Sequence, residues 1–131
     1  MQNMANFNNV LKKSPMDLLN WLMDSFSVQI PEVIVSIDDM AEASKILLKL
    51  SGAYSYLMAL LSYAKIMTRD AKRKVVKNDP ETTRNYEDMV DRKEVLQHFT
   101  DIVKQNYTAV SRAVTIYIEN NNELKMGRGT P

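Results

Sequence analysis

Two runs of apolar residues that repeat every three or four positions constrain this chain most, because a long helix with such a stripe needs an equally long partner surface. In the second run the apolar residue returns at every seventh position, from Met89 to Leu124. The first stripe consists of Met40, Ala43, Leu47, Leu50, Tyr54, Leu57, Leu61, Ala64, Thr68, Ala71 and Val75. The pattern predicts two long amphipathic helices.

One turn signal separates the two runs. Asn78 and Asp79 favour a turn followed by a helix N-cap, and Pro80 fits the first helical turn. A connection of about two or three residues sends the second helix back antiparallel to the first. The sequence therefore predicts an all-α fold, a long antiparallel hairpin that resembles a coiled coil. The predicted hairpin covers residues 38–126, with arms at 40–77 and 80–126, and residues 127–131 form a flexible tail.

Residues 1–37 are predicted to form a short helix and an extended linker. Ser14 before Pro15 is an N-cap signal, and an amphipathic helix follows over residues 15–26. The β-branched residues of 27–37 favour an extended chain lying against the helices. Inside the first arm, Gly52 costs about 1 kcal/mol relative to alanine, which is consistent with a close helix crossing.

The predicted arms extend roughly 55 to 70 Å at the helical rise per residue. Residues 1–37 are too few to cover both flanks of both arms, and exposed apolar stripes of this kind mark interfaces. We therefore expect a homo-oligomer. The alternative is that residues 15–37 fold back and complete a three-helix monomer.

Composition excludes several classes of function. Lys and Arg total 17 against 16 Asp and Glu, so no global field attracts nucleic acid or membrane. The absence of cysteine excludes disulfides and thiolate metal sites. The N-terminus does not resemble a signal peptide, and no run of about 18 uninterrupted apolar residues occurs. These features predict a cytoplasmic protein, in the host cytoplasm if phage-encoded, with no membrane partner.

Catalytic and metal motifs are absent from the sequence. His98 is the only histidine, so a helical zinc motif with two histidines cannot form. There is no glycine-rich phosphate loop and no serine flanked by glycines. We predict a protein that is not an enzyme and uses no cofactor or metal.

The sharpest local feature is a basic run at the end of the first arm, with one acid, Asp70, inside it. Such a run is suited to tracking a phosphate backbone. The alternative is that acids at the start of the second arm neutralise it by pairing between the helices. The basic residues are Lys65, Arg69, Lys72, Arg73, Lys74 and Lys77, and the acids facing them are Glu87, Asp88, Asp91 and Glu94.

Aromatic residues supply the other binding candidates. Tyr56 and Tyr63 are seven residues apart and lie off the main stripe, so we predict that they stack on single-stranded bases. Trp21 is predicted to contact a protein partner, together with the linker.

The layout resembles small phage recombination mediator proteins of the UvsY type. The resemblance covers roughly residues 37–125 and rests on the helix start at Ile37-Asp38-Asp39, the basic Lys72-Arg73-Lys74, Tyr86 near the turn, and Ser111-Arg112. It implies a helical protein that self-assembles and binds single-stranded DNA through Lys72, Arg73 and Lys74. It also implies a role in loading a recombinase and displacing a single-strand-binding protein.

Two alternatives stand beside this hypothesis. The chain could be a phage-encoded adaptor or inhibitor of a host complex, which would bind a protein and no nucleic acid. It could also be a structural subunit whose arms pack only with copies of themselves.

Overall fold

The computed structural model of the protein describes residues 2–31 and 33–129, with side chains for residues 6–31 and 33–122. This part of the chain forms α1 (Gln2–Leu11), α2 (Pro15–Phe26), α3 (Ile37–Arg73) and α4 (Pro80–Gly129). The two long helices, α3 and α4, pack together as a hairpin. The predicted all-α fold and its helical hairpin are confirmed.

The core of the hairpin follows the predicted stripes. On α3 the side chains of Ala43, Leu50, Leu57 and Ala64 are buried. The buried α4 residues in the same core cluster include four that recur every seven positions, and these are Met89, Leu96, Val103 and Val110. Leu124, the last predicted member of the second stripe, lies outside the described side chains. Because one helix face supplies nearly all of these contacts, the periodicity was sufficient to identify them.

The connection between α3 and α4 is longer than predicted. α3 ends at Arg73 rather than at residue 77, and residues 74–79 form the loop. The backbone N–H of Lys74 bonds back to the carbonyl of Asp70 at 3.1 Å and closes the helix. Asn78 then takes a left-handed backbone with φ 69°, a conformation that asparagine adopts more readily than most residues. The local turn chemistry, rather than the apolar pattern, decides where the arm stops.

The N-terminal segment, residues 2–31 and 33–36, contains one helix that was predicted and one that was not. α2 has the predicted bounds, and its Ser14 cap accepts a hydrogen bond from the Asp17 N–H at 3.2 Å. α1 is a second helix in a segment for which only one short helix was predicted. Phe7, Val10 and Leu11 are buried, and their spacing of three and four is the signal that identifies this helix.

Gly52 does not mark a close helix crossing within the chain. A β-carbon placed on it would meet nothing within 4 Å. The prediction was wrong because glycine at an outward helix position allows close approach without requiring it.

By length and composition α3 could cross a bilayer, since an 18-residue window of it has a mean hydropathy of 1.2. The window is only 28% buried inside the protein. The count of uninterrupted apolar residues overlooked this window because serine and glycine interrupt the apolar run. They lower the mean hydropathy less than charged residues would, so the window still reaches 1.2. The central helix of a folded core meets the same criterion.

Candidate nucleic-acid interface

The predicted basic residues surround the end of the hairpin at which α3 meets the loop. Lys65, Arg69 and Lys72 lie at intervals of four and three along α3 and therefore share one face of the helix. Arg73 ends the helix, and Lys74 and Lys77 belong to the loop. All six side chains are exposed. The fold thus brings the six cations to one end of the molecule, over two turns of helix and a loop.

The acids of α4 do not pair with this basic run. Among the described side chains the one salt bridge joins Arg73 to Asp70 at 3.9 Å, within α3 itself. Glu87, Asp91 and Glu94 are exposed and lie four and three residues apart, on the face of α4 away from its buried Met89 and Leu96. Since that buried stripe faces α3, these three acids point away from the basic run.

Part of the basic run also stabilises the helix that carries it. Lys72 and Arg73 occupy the last turn of α3, where cations interact favourably with the unsatisfied carbonyls and the helix dipole. This effect amounts to about 0.3–1 kcal/mol for an exposed group. It accounts for two of the cations and leaves Lys65, Arg69, Lys74 and Lys77 without a structural role of this kind.

The loop beside these cations is held by side-chain hydrogen bonds. The Val76 N–H donates to the Thr82 hydroxyl at 3.0 Å, and the Glu81 N–H donates to an Asp79 carboxylate oxygen at 3.1 Å. Val75 and Val76 remain exposed at the tip. Because Val76 and Asp79 of the loop are both hydrogen-bonded to the start of α4, the cations at 74 and 77 are presented on a defined backbone.

The tyrosines predicted to stack on bases contact the N-terminal segment instead. The Phe7 ring lies 5.4 Å from that of Tyr56 and 5.8 Å from that of Tyr63, measured between centroids. The Tyr63 hydroxyl also donates a hydrogen bond to the side-chain oxygen of Asn8. Both rings are half-buried. Base stacking by either tyrosine remains a prediction, and it would require these rings to leave their contacts.

Trp21 lies in the same aromatic cluster. Its ring packs edge-on against Phe26 with centroids 5.7 Å apart, and Tyr56 is 6.5 Å away. An open groove of about 640 Å³ borders these rings and reaches Leu48 and Gly52 on α3. The Tyr56 hydroxyl is buried without a hydrogen-bond partner, and desolvation raises the pKa of this group above its usual value of 10.0. The cluster is chiefly a packing surface.

In the described part of the chain, no group of three or more histidine or carboxylate side chains could hold a metal ion. His98 is exposed on α4. The described residues thus offer exposed cations at the loop end of the hairpin and an aromatic cluster on one side of it.

No known protein family, curated protein or solved structure matches this chain.

Proposed function

We propose that this protein binds single-stranded nucleic acid through the basic end of its hairpin and assists recombination or replication as a mediator in the cytoplasm, without catalysing a reaction. The observation that carries the proposal is the set of exposed cations around residues 65–77, to which α4 contributes no acidic partner. A phosphate backbone that contacts these cations would release its own counterions, and its phosphates would take the place of the acidic partners that α4 does not provide.

Self-association forms part of this proposal. Val33, Val35 and Ile37 precede or begin α3 and are strongly exposed, at 67%, 75% and 78%. Ile116 and Ile118 on α4 are also exposed. Apolar side chains concentrated in this way favour contact with a second molecule, and a second copy of the chain is the partner expected for a mediator. The other partners proposed are a recombinase and a single-strand-binding protein.

The test is binding to a labelled single-stranded oligonucleotide at several salt concentrations. In the variant in which Lys72, Arg73 and Lys74 become alanine, we expect affinity to fall roughly tenfold or more, with a salt slope smaller by about 2. The matched control replaces Lys45, Lys49 and Arg112, which removes the same charges from exposed positions far from the loop. Equal affinity of the two variants would reject the basic end as the site.

A second candidate function is binding to a protein partner as an adaptor or inhibitor. The observation that favours it is the extended linker, in which Val33 and Val35 point outwards while Ile34 between them is buried. In this case a purified partner protein would bind less tightly to the variant in which Val33 and Val35 become serine. The unchanged protein would not bind an oligonucleotide. Mass measurement in solution separates both functions from a purely structural subunit, which would be oligomeric without any other partner.

A further inference from the structure

We infer that single-stranded nucleic acid runs lengthwise along the side of the hairpin opposite the N-terminal segment. This inference rests on the proposed function and extends its site from the loop end to α4. The surface is called the open face here, and it is made by three residues from each long helix: Tyr54, Lys65 and Lys72 of α3 and Tyr86, Lys93 and Lys104 of α4.

The N-terminal segment identifies one side of the hairpin. On α3 it contacts Tyr56 and Tyr63, which are one heptad apart. On α4 it contacts Arg92 and Phe99, which are also one heptad apart. The Arg92 Nε donates a hydrogen bond to the Lys13 carbonyl at 2.7 Å, and the centroids of the Phe26 and Phe99 rings are 6.4 Å apart. These four residues define the covered face.

The opposite flank of α3 carries lysine. Tyr56 and Tyr63 each precede a buried residue, Leu57 and Ala64, by one position, and so lie about 100° to one side of the buried stripe. Lys65 follows Ala64 by one position and lies about 100° to the other side. Lys72, seven residues later, shares that side. Both lysines are exposed.

The opposite flank of α4 carries lysine and tyrosine. Arg92 follows the buried Met89 by three residues, and Phe99 follows the buried Leu96 by three. A position three residues after a buried residue of this stripe therefore lies on the covered side of α4. Lys93 lies four residues after Met89 and therefore on the other side of the stripe. Tyr86, one heptad before Lys93, shares that side.

The register of the two helices aligns these flanks. The Thr68 hydroxyl lies 3.4 Å from the Met89 carbonyl, which fixes the level at which α3 and α4 pass each other. In an antiparallel pair this level brings Lys72 beside Tyr86 and Lys65 beside Lys93. The same register brings Tyr54 beside Lys104, farther from the loop.

The resulting surface has a lysine beside a tyrosine at each end and two lysines between them, and residues 54 to 72 of α3 are about 27 Å apart at the helical rise. Lysines placed in this way can follow phosphates. Tyr54 and Tyr86 take part in none of the ring pairs found among the described side chains, unlike Tyr56 and Tyr63, so they can accept the face of an unpaired base. Paired bases present no free face, so a duplex would lose the stacking contribution. Glu87 and Glu94 directly follow Tyr86 and Lys93 but lie about 100° further round α4, towards its outer face. Asp101, three residues before Lys104, accepts a hydrogen bond from Gln97 at 3.1 Å.

The first test replaces Lys65, Lys93 and Lys104 with alanine and compares this variant with the Lys45, Lys49 and Arg112 control. We expect a roughly tenfold or larger loss of affinity for a single-stranded oligonucleotide in the open-face variant, and a salt slope smaller by about 2. A circular dichroism melt of each variant excludes unfolding as the cause. Affinity equal to the control, in a protein that the Lys72, Arg73 and Lys74 variant does weaken, overturns the path while leaving the proposed function intact.

The second test concerns stacking. Tyr86→Leu is expected to weaken binding to the single strand by roughly five- to a hundredfold, and photochemical cross-linking to an iodouracil oligonucleotide should label Tyr86 and Tyr54. Labelling confined to Tyr56 and Tyr63 overturns the path, as does equal affinity for duplex DNA or for vesicles of anionic lipid. Absence of any binding by the unchanged protein at low salt rejects the proposed function itself.

Discussion

The two sides of the hairpin differ more in chemistry than their sequences suggest. The covered face meets Phe7, Phe26 and the Lys13 carbonyl, so its tyrosines and Arg92 have partners within the chain. The open face carries Lys65, and none of the described acids forms a salt bridge with it. Residues only a few positions apart on one helix lie in these two environments. The side of the buried stripe on which a residue lies decides whether it stabilises the fold or remains available to a ligand.

The tyrosines of α3 show this difference within one residue type. Tyr56 and Tyr63 lie on the covered side and pack against Phe7. Tyr54 lies on the other side of the stripe, only two residues from Tyr56. The sequence distinguishes Tyr54, which is on the apolar stripe, from Tyr56 and Tyr63, which are off it, but only the position of α1 shows that the latter two are covered.

The largest expected effect is on the covered face. Phe26 contacts Trp21, Tyr56 and Phe99, so Phe26→Ala should lower the free energy of unfolding by about 3 kcal/mol through lost burial and lost aromatic pairing. Urea denaturation followed by circular dichroism measures this change. Lys65→Ala on the open face is the control, with an expected change within about 0.5 kcal/mol. Similar losses in both variants would contradict the distinction between the faces.

A smaller change in the free energy of unfolding tests whether anything packs on α3 at Gly52. Gly52 lies inside α3 beside the groove, with open space where a β-carbon would stand. Gly52→Ala should raise the free energy of unfolding by about 1 kcal/mol, because alanine favours the helix and restricts the unfolded chain. The same denaturation experiment checks it. A loss of stability would show that another part of the molecule, or a second copy, packs on this glycine.

The smallest effect is a dependence of stability on pH. Burial raises the pKa of the Tyr56 hydroxyl in the folded state above 10.0, the value expected in the unfolded chain. Its contribution is therefore complete below about pH 10 and is lost as pH rises through the folded-state pKa, since the unfolded chain then releases the proton more readily. Denaturation at pH 8 to 11 should show a steeper loss in the unchanged protein than in Tyr56→Phe. Parallel curves would mean that this hydroxyl has access to water.

Much of the hairpin could be predicted because its determinants are local. The apolar stripe identified Leu50, Leu57 and Leu96 as core residues, and the Ser14 cap located the start of α2. The end of α3 could not be predicted from the stripe, because Val75 continues the apolar pattern although the loop has already begun. Periodicity records which residues are apolar and not whether the backbone is still helical.

The arrangement of the basic run could be predicted in part for the same reason. The spacing of Lys65, Arg69 and Lys72 places them on one face of a helix, wherever that helix packs. Lys93 and Tyr86 were not recognised as neighbours of this face, because their position depends on the register between α3 and α4. That register is fixed by packing around Thr68 and Met89 rather than by either helix alone.

The sequence by itself determined four things about this protein: two long amphipathic helices, the start of the second one at Pro80, the α2 cap and the basic run. All of these follow from interactions between residues that are close along the chain. Only the tertiary structure decided which flank of the hairpin is covered and whether the basic run meets the acids of α4. The contact between Asn8 and Tyr63, which lie 55 residues apart, is of this second kind. Such contacts depend on how complete helices fit together, and no local pattern encodes that fit.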